Sequence, residues 1–242
     1  MFGLVAADGI QRWLIEKKIA DAKSPSKLPG VVGANIYDLD FSKPTKVSYS
    51  KLGYLACVNA SNRTVKEGRV GAGISATVGK FLGIQYSSRG GIGSSAISLG
   101  NGLQVGSLIV TNAEGNIIDP KTGITLAGAR WPGHDFVELV DVSEEYLRSD
   151  RDGGSTTVGI VATNARLSHE HTIKVAQMAS AGLARTINPV HTCGDGDTIF
   201  GLSMGTWMRI PDSRNLVSLI GSLAAEQVAK SVTRSVKMSN TD

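Results

Sequence analysis

Cysteine, aromatic side chains, long apolar runs and blocks of one charge are all scarce in this 242-residue chain. Each shortage closes off a class of protein. Cys57 and Cys193 are the only cysteines, too few for a disulfide framework in a chain of this length. A reducing compartment fits, and the sequence reads as cytoplasmic. No apolar run approaches the roughly 20 residues of a membrane span, and the segment from Met1 to Asp8 lacks the basic region of a secretion signal. Membrane attachment is therefore not expected. The 25 basic and 21 acidic residues are scattered, with a net charge of +4, and no Lys/Arg block is interleaved with aromatics. That argues against a nucleic-acid surface.

What the chain does contain is apolar residues and glycine. With 41% hydrophobic residues it can bury a substantial core, and a single domain over residues 1–242 is expected. The 29 glycines suit tightly packed strands. An amphipathic helix is expected over residues 3–20, with Ile10, Trp13 and Leu14 on one face and Pro25 and Pro29 beyond its end. The stretch Val31 to Tyr37 reads as a short strand, and residues 51–63 as a second helix with Leu52, Leu55 and Ala56 inward. Residues 84–112 read as strand, turn and strand, and Glu114-Gly-Asn116 turns the chain back into Ile117 and Ile118. Residues 121–155 read mostly as loop. Ser168 caps a helix running to about Arg185, with Ile173, Ala176 and Leu183 inward. Asp197 to Met204 reads as a buried strand, and a last helix runs from Pro211 to about Val236. Strands followed by strand–helix–strand–helix argue an α+β fold with helices covering sheets.

Several stretches invite chemistry. Gly71-Ala-Gly73 resembles part of a nucleotide loop. No strand–loop–helix unit surrounds it, and Phe81 follows Lys80 where a phosphate loop needs Ser or Thr. No cofactor is expected. His169 and His171 are spaced i, i+2 and point to different sides of a helix, so no metal is expected either. Cys193 reads as a small buried residue. Residues 153–163 stand out more. Thr156 and Thr157 sit between a Gly-rich, charged loop and the apolar run from Val158 to Val161. A hydroxyl at the mouth of a core strand, behind a flexible loop, is the layout of an N-terminal nucleophile that uses its own amine as base. A plainer reading is open: threonine favours strands. Asp195 and Asp197 flank a glycine before another strand, either as an acidic turn or as a pair that orients an amine and a hydroxyl. Asn112 ends a strand as a cap or as an oxyanion donor. Lys80 and Tyr37 are candidates by position.

Taken together, the motifs resemble a known family. They are Phe2-Gly-Leu with Ala6-Ala-Asp-Gly9, Val70-Gly-Ala-Gly73, Thr77-Val-Gly-Lys80, Gly90-Gly-Ile-Gly93, Val110-Thr-Asn-Ala113, the run from Thr156 to Asn164, Gly182-Leu-Ala-Arg-Thr186 and Gly194-Asp-Gly-Asp197. In this order they resemble the L-aminopeptidase/D-amidase family, the β-peptidyl aminopeptidases. Within it they look most like the branch that hydrolyses 6-aminohexanoate (nylon) oligomers. The resemblance implies a four-layer αββα sandwich similar to the N-terminal-nucleophile hydrolases, and amide hydrolysis without a cofactor. It implies autocleavage between Ser155 and Thr156 into subunits 1–155 and 156–242, and a homo-oligomer, a tetramer, acting on small amides or oligoamides. Thr156 would be the nucleophile, Asp195 and Asp197 its acidic pair, Asn112 the oxyanion donor, and Lys80 and Tyr37 neighbours of the nucleophile. Two departures stand out. The branch usually has Asn where this chain has Ser155, and family members carry strands before the first helix, so the fold is expected to be N-terminally short. Two other readings go with these features: an uncleaved homologue with a structural role, and an acyltransferase of the ornithine acetyltransferase type.

Overall fold

The computed structural model describes residues 2–19, 30–38, 48–148 and 154–241. These fall into two compact units. The first ends at Thr64 and excludes Ile36–Asp38; the second comprises Ile36–Asp38 and the chain from Val65 onward.

In the first unit, a 3-10 turn over Phe2–Val5 leads into α1 (Ala6–Glu16), which packs on α2 (Tyr49–Val58). The two helices meet through glycine. A Cβ on Gly53 would lie 2.0 Å from the Ala6 carbonyl oxygen, and one on Gly9 would lie 1.7 Å from that of Ser50. This overturns the expected inward face of the second helix: Leu52, Leu55 and Ala56 are exposed, and Gly53 is buried. Backbone contact at that spacing leaves no room for a leucine on the contact face. The helix also ends at Val58, short of residue 63, where Asn59 caps it. The stretch 31–37 is not a strand; no described strand pairs with it, and Val32 is exposed.

The second unit is built on a four-stranded sheet in the order β3-β4-β7-β9. Its strands are β3 (Gly91–Ser98), β4 (Gln104–Thr111), β7 (Val158–Ala165) and β9 (Thr198–Trp207). A small ladder joins β1 (Thr77–Val78) to β2 (Ser88–Arg89), and a second sheet joins β6 (Thr125–Ala127), β5 (Asn116–Ile118) and β8 (Ile187–Asn188). Ile117 and Ile118 therefore leave the sheet of β4 and do not turn back along it. Residues 121–155 hold more than loop: β6, a 3-10 turn at Leu139–Val142 and α3 (Ser143–Arg148) lie there.

Two helices cover one face of the large sheet. The first, α4 (His169–Ala184), is capped by Ser168, whose hydroxyl accepts the His171 N–H. The second, α5 (Arg214–Ser239), is capped by Ser213. The alternating pattern of β4 sends Val105, Ser107, Ile109 and Thr111 toward the helices. Val105 and Ile109 join Ile220, Ala224, Val228 and Val232 in one continuous core, while the Ser107 and Thr111 hydroxyls bond those of Ser231 and Ser235. On α4 the inward residues are Val175, Ala179, Gly182 and Leu183; Ile173, expected inward, is exposed. Nor is β9 buried on both sides. Leu202 is 48% and Met204 59% exposed on the face away from the helices. A run of apolar residues does not by itself report how many faces are covered.

Gly182 lies at a close approach of α4 to α5. A Cβ there would lie 2.4 Å from the Ala225 carbonyl oxygen and 2.7 Å from Val228 Cβ. Gly182→Ala is expected to destabilise the protein by roughly 1–3 kcal/mol despite alanine's better helix propensity. A denaturant melt checks this; an unchanged midpoint would contradict the tight helix contact.

Candidate active site

Register brings the site together. β4 runs antiparallel to β7, with Val110 opposite Val158; β9 runs parallel to β7, with Thr198 opposite Val158. The end of β4 and the beginnings of β7 and β9 therefore share one edge of the sheet. The residues just outside those ends are Asn112, Ser155 to Thr157, and Asp195 to Asp197. All three groups were expected to matter, and the sheet gathers them.

Around Thr156 the backbone is closely held. The Thr156 N–H donates to the Asn112 carbonyl at 2.8 Å. Thr156 Oγ donates to the Ser155 carbonyl oxygen at 2.6 Å, and the Gly196 N–H donates to the same oxygen at 2.9 Å. Ser155 pairs with the turn beyond it, as a parallel bridge to Asp195. Thr157 is fully buried; its N–H donates to Asp197 Oδ1 at 2.8 Å and its carbonyl accepts the Thr198 N–H. Gly153, in the Gly-rich loop before the two threonines, lies outside the described residues.

Asn112 is buried, and its side chain ties three segments together. Its Oδ1 accepts the Thr77 N–H at 3.0 Å and Lys80 Nζ at 3.1 Å, and its Nδ2 donates to the Tyr37 carbonyl at 3.1 Å. Lys80 Nζ also reaches the Asn112 carbonyl at 3.2 Å and the Gly154 carbonyl at 3.5 Å. The Tyr37 ring lies against Gly154, where a Cβ would meet ring Cδ1 at 2.9 Å. Lys80 and Tyr37 thus stand beside the Ser155–Thr156 junction. The donors seen on the Ser155 oxygen, however, are the Thr156 hydroxyl and the backbone N–H of Gly196, whereas the Asn112 amide donates to Tyr37.

The acidic residues are unequal. Asp195 Oδ1 accepts the Glu114 N–H, and Oδ2 accepts the Thr192 N–H and lies 2.9 Å from the Thr192 hydroxyl oxygen. Burial pushes the Asp195 carboxyl above the usual carboxylate range, and the nearby Asp197 charge adds to this; the hydrogen bonds oppose both. Asp197 has a 2% exposed side chain with His191 Nδ1 3.0 Å from its Oδ2. That distance is an ion pair's, but the alignment is not a hydrogen bond's, and Oδ2 has no hydrogen-bond partner among the described residues. His191 holds a left-handed backbone, φ 54°, and its Nε2 lies 3.2 Å from Ser180 Oγ. Cys193, expected buried, is exposed on the same turn.

Gly196, Glu114, Thr192 and His191 were not anticipated as site residues. The backbone N–H of Gly196 has no signature in the sequence, because every residue but proline carries one. Glu114 had a signal, a carboxylate two residues past Asn112, hidden by its place in a turn.

Residues 1–241 match the profile of Peptidase family S58. The chain belongs to that family. An uncharacterized aminopeptidase of Mycobacterium tuberculosis is 34% identical over 251 residues, covering 97% of this chain and 71% of its own length. A 6-aminohexanoate-oligomer endohydrolase of Paenarthrobacter ureafaciens is 28% identical over 210 residues, covering 84% of this chain and 57% of its own. Among solved structures, the L-aminopeptidase D-Ala-esterase/amidase of Ochrobactrum anthropi aligns with a TM-score of 0.55 at 16% identity, over 80% of this chain and 50% of that one. That structure is described as a variant of the N-terminal-nucleophile hydrolase fold, and the likeness gives this S58 chain the same fold type. The expected sandwich class and the family resemblance both hold. The chain spans about half the length of the solved structures it matches. Peptidase family S58 is a family of amide hydrolases, and the chain falls in that class. No helix among the described residues is long and apolar enough to cross a membrane.

Proposed function

We propose that the chain cleaves itself between Ser155 and Thr156, and that the freed Thr156 is the nucleophile of an amide hydrolase. The observation that carries this reading is the double grip on the Ser155 carbonyl oxygen, by Thr156 Oγ at 2.6 Å and by the Gly196 N–H at 2.9 Å. Thr156 Oγ attacks the Ser155 carbonyl carbon. Negative charge grows on the carbonyl oxygen, where the Gly196 N–H already points. The C–N bond breaks, the hydroxyl proton passes to the departing Thr156 nitrogen, and an ester remains. Water hydrolyses that ester and leaves subunits 1–155 and 156–242.

The released Thr156 amine keeps the Asn112 carbonyl beside it. An α-amino group titrates at about 7.7–8.0 unperturbed, so a useful fraction is neutral near pH 7 and takes the hydroxyl proton during turnover. The Gly196 N–H, freed from Ser155, serves the substrate carbonyl in the same way. Asn112 remains the second candidate donor, and Asp197 fixes the Thr157 amide and so the threonine's approach. Lys80 and Tyr37 frame the acyl side. An acyl-enzyme forms and water releases it, without a cofactor. The names of the relatives suggest small peptide-like or 6-aminohexanoate oligoamides as substrates. A cytoplasmic homo-oligomer, a tetramer of cleaved pairs, completes the proposal.

Intact-mass measurement with N-terminal sequencing tests the first step. Two fragments are expected, the smaller beginning at Thr156, together with hydrolysis of a peptide amide or a 6-aminohexanoate oligomer. One intact 25.4 kDa chain without hydrolysis would favour the uncleaved structural homologue.

A further inference from the structure

A third carboxylate stands behind the Ser155–Thr156 junction. Glu114 leaves the end of β4 two residues beyond Asn112. Its Oε2 is hydrogen-bonded to Thr192 Oγ, and its Oε1 accepts the Tyr146 hydroxyl at 3.1 Å. Asp195 Oδ2 lies 2.9 Å from the same Thr192 Oγ and 3.3 Å from the Thr192 N–H, while Oδ1 takes the Glu114 N–H at 3.2 Å.

A threonine hydroxyl carries one proton. It can donate to Glu114 or to Asp195, and not to both. The other carboxyl must bring a proton of its own to bond the hydroxyl lone pair. Otherwise two anions face one another across a single oxygen, in a half-buried place already made costly for charge by Asp197. The remaining titratable groups around the trio are Tyr146 on Glu114, His191 on Asp197, and Lys80 at Asn112 and Gly154. Among the described residues no three His, Cys, Asp or Glu side chains converge as metal ligands.

We propose that Glu114 is a positioning residue: it takes the Thr192 hydroxyl proton, so that Asp195 brings a proton of its own to Thr192 Oγ, and this arrangement locks the 192–197 turn that presents the Gly196 N–H to the Ser155 carbonyl. For its catalytic consequence the inference rests on the Thr156 reading; the proton count does not. When the proton is lost, Glu114 and Asp195 repel, and the turn loosens from the junction. Self-cleavage then slows as pH rises, by about tenfold per unit beyond the loss of the proton. Stability follows the same sign. The native state keeps a proton that the unfolded chain releases at ordinary carboxylate values, so stability falls as pH climbs from about 4 through the raised Asp195 value.

Glu114→Gln separates this from a plain structural role. The Gln amide donates to Thr192 Oγ, the hydroxyl proton goes to Asp195, and the trio is satisfied with no added proton. The melting temperature of Glu114→Gln is expected to gain on the wild type as pH rises, and its cleavage rate to lose the high-pH decline. A gap between the two melting curves that stays constant with pH would overturn the proposal. Should Glu114→Gln not fold, the wild type alone decides. Infrared spectra of the wild type should show a protonated-carboxyl band that outlasts those of ordinary carboxyls as pH rises above about 4. Absence of that band would overturn the proposal. The two readings fail differently. If no protein forms fragments at any pH, the nucleophile reading fails while the melting and infrared results still judge the proton on Asp195. If wild type and Glu114→Gln form fragments with one common pH profile, the positioning role fails and the nucleophile stands.

Discussion

Thr156→Ala is expected to yield one uncleaved chain of 25.4 kDa and no measurable amide hydrolysis. Both losses come from one atom. Among the described residues Oγ is the only side-chain oxygen bonded to the Ser155 carbonyl, and in the mature form it would be the acyl-accepting group. Removing the nucleophile from a residue set that acts as a unit costs on the order of 10⁶ in rate, by analogy with serine hydrolases. Folding should barely notice. Thr156 is half-buried, and among the described residues its hydroxyl donates one hydrogen bond, worth about 1 kcal/mol net. A nearly unchanged melt beside a complete loss of cleavage therefore separates chemistry from structure. Thr156→Ser keeps the oxygen and gives up one methyl, so fragments should still appear, if more slowly. Turnover by Thr156→Ala would remove the nucleophile from its proposed role.

The elements of this site that were legible in the sequence share a physical cause. Asn112, Thr156 and Asp197 each stand just outside an apolar, β-branched run, and the switch from apolar run to turn residues marks a strand end plainly. Three strand ends on one sheet edge then make a site. Lys80 and Tyr37 were candidates by position alone, and only the family resemblance set them beside the nucleophile, since neither lies in a pattern that demands it. What escaped is what depends on partners. The stretch 31–37 has strand composition, yet a strand exists only when another pairs with it. Leu52 and Leu55 look like the core face of a helix, but α1 and α2 approach through Gly9 and Gly53, and that closeness turns the leucines outward. Apolar residues on β9 reveal a sheet without revealing that one face is open. Glu114 and Thr192 are turn residues far apart in the chain, joined only when β4 and the 192–197 turn meet.

Gly196→Ala is expected to fold normally and to cut self-cleavage and turnover by about a hundredfold. An added Cβ would stand 3.1 Å from Thr156 Oγ, 3.6 Å from its Cγ2 and 3.9 Å from the Ser155 carbonyl oxygen. The first contact is tighter than an oxygen and a methyl prefer, and Gly196 is exposed, so nothing else is crowded. The strain is relieved where the structure is softest: the hydroxyl rotates, or the turn backs away by a few tenths of an ångström and lengthens the Gly196 N–H contact to Ser155. Either response spoils alignment between nucleophile, carbonyl carbon and oxyanion donor, and small misplacements of this kind cost about 10²-fold. Combining the substitutions tests the assignment further. Thr156→Ser trims the methyl beside the added Cβ, so the double variant Thr156→Ser with Gly196→Ala should recover part of the rate lost by Gly196→Ala alone. Purely additive losses would mean that Gly196 does not act through Thr156. The measurement is the rate of fragment appearance after refolding, read against a melting curve for each variant, because only a change in the first without the second locates the effect at the Ser155–Thr156 junction.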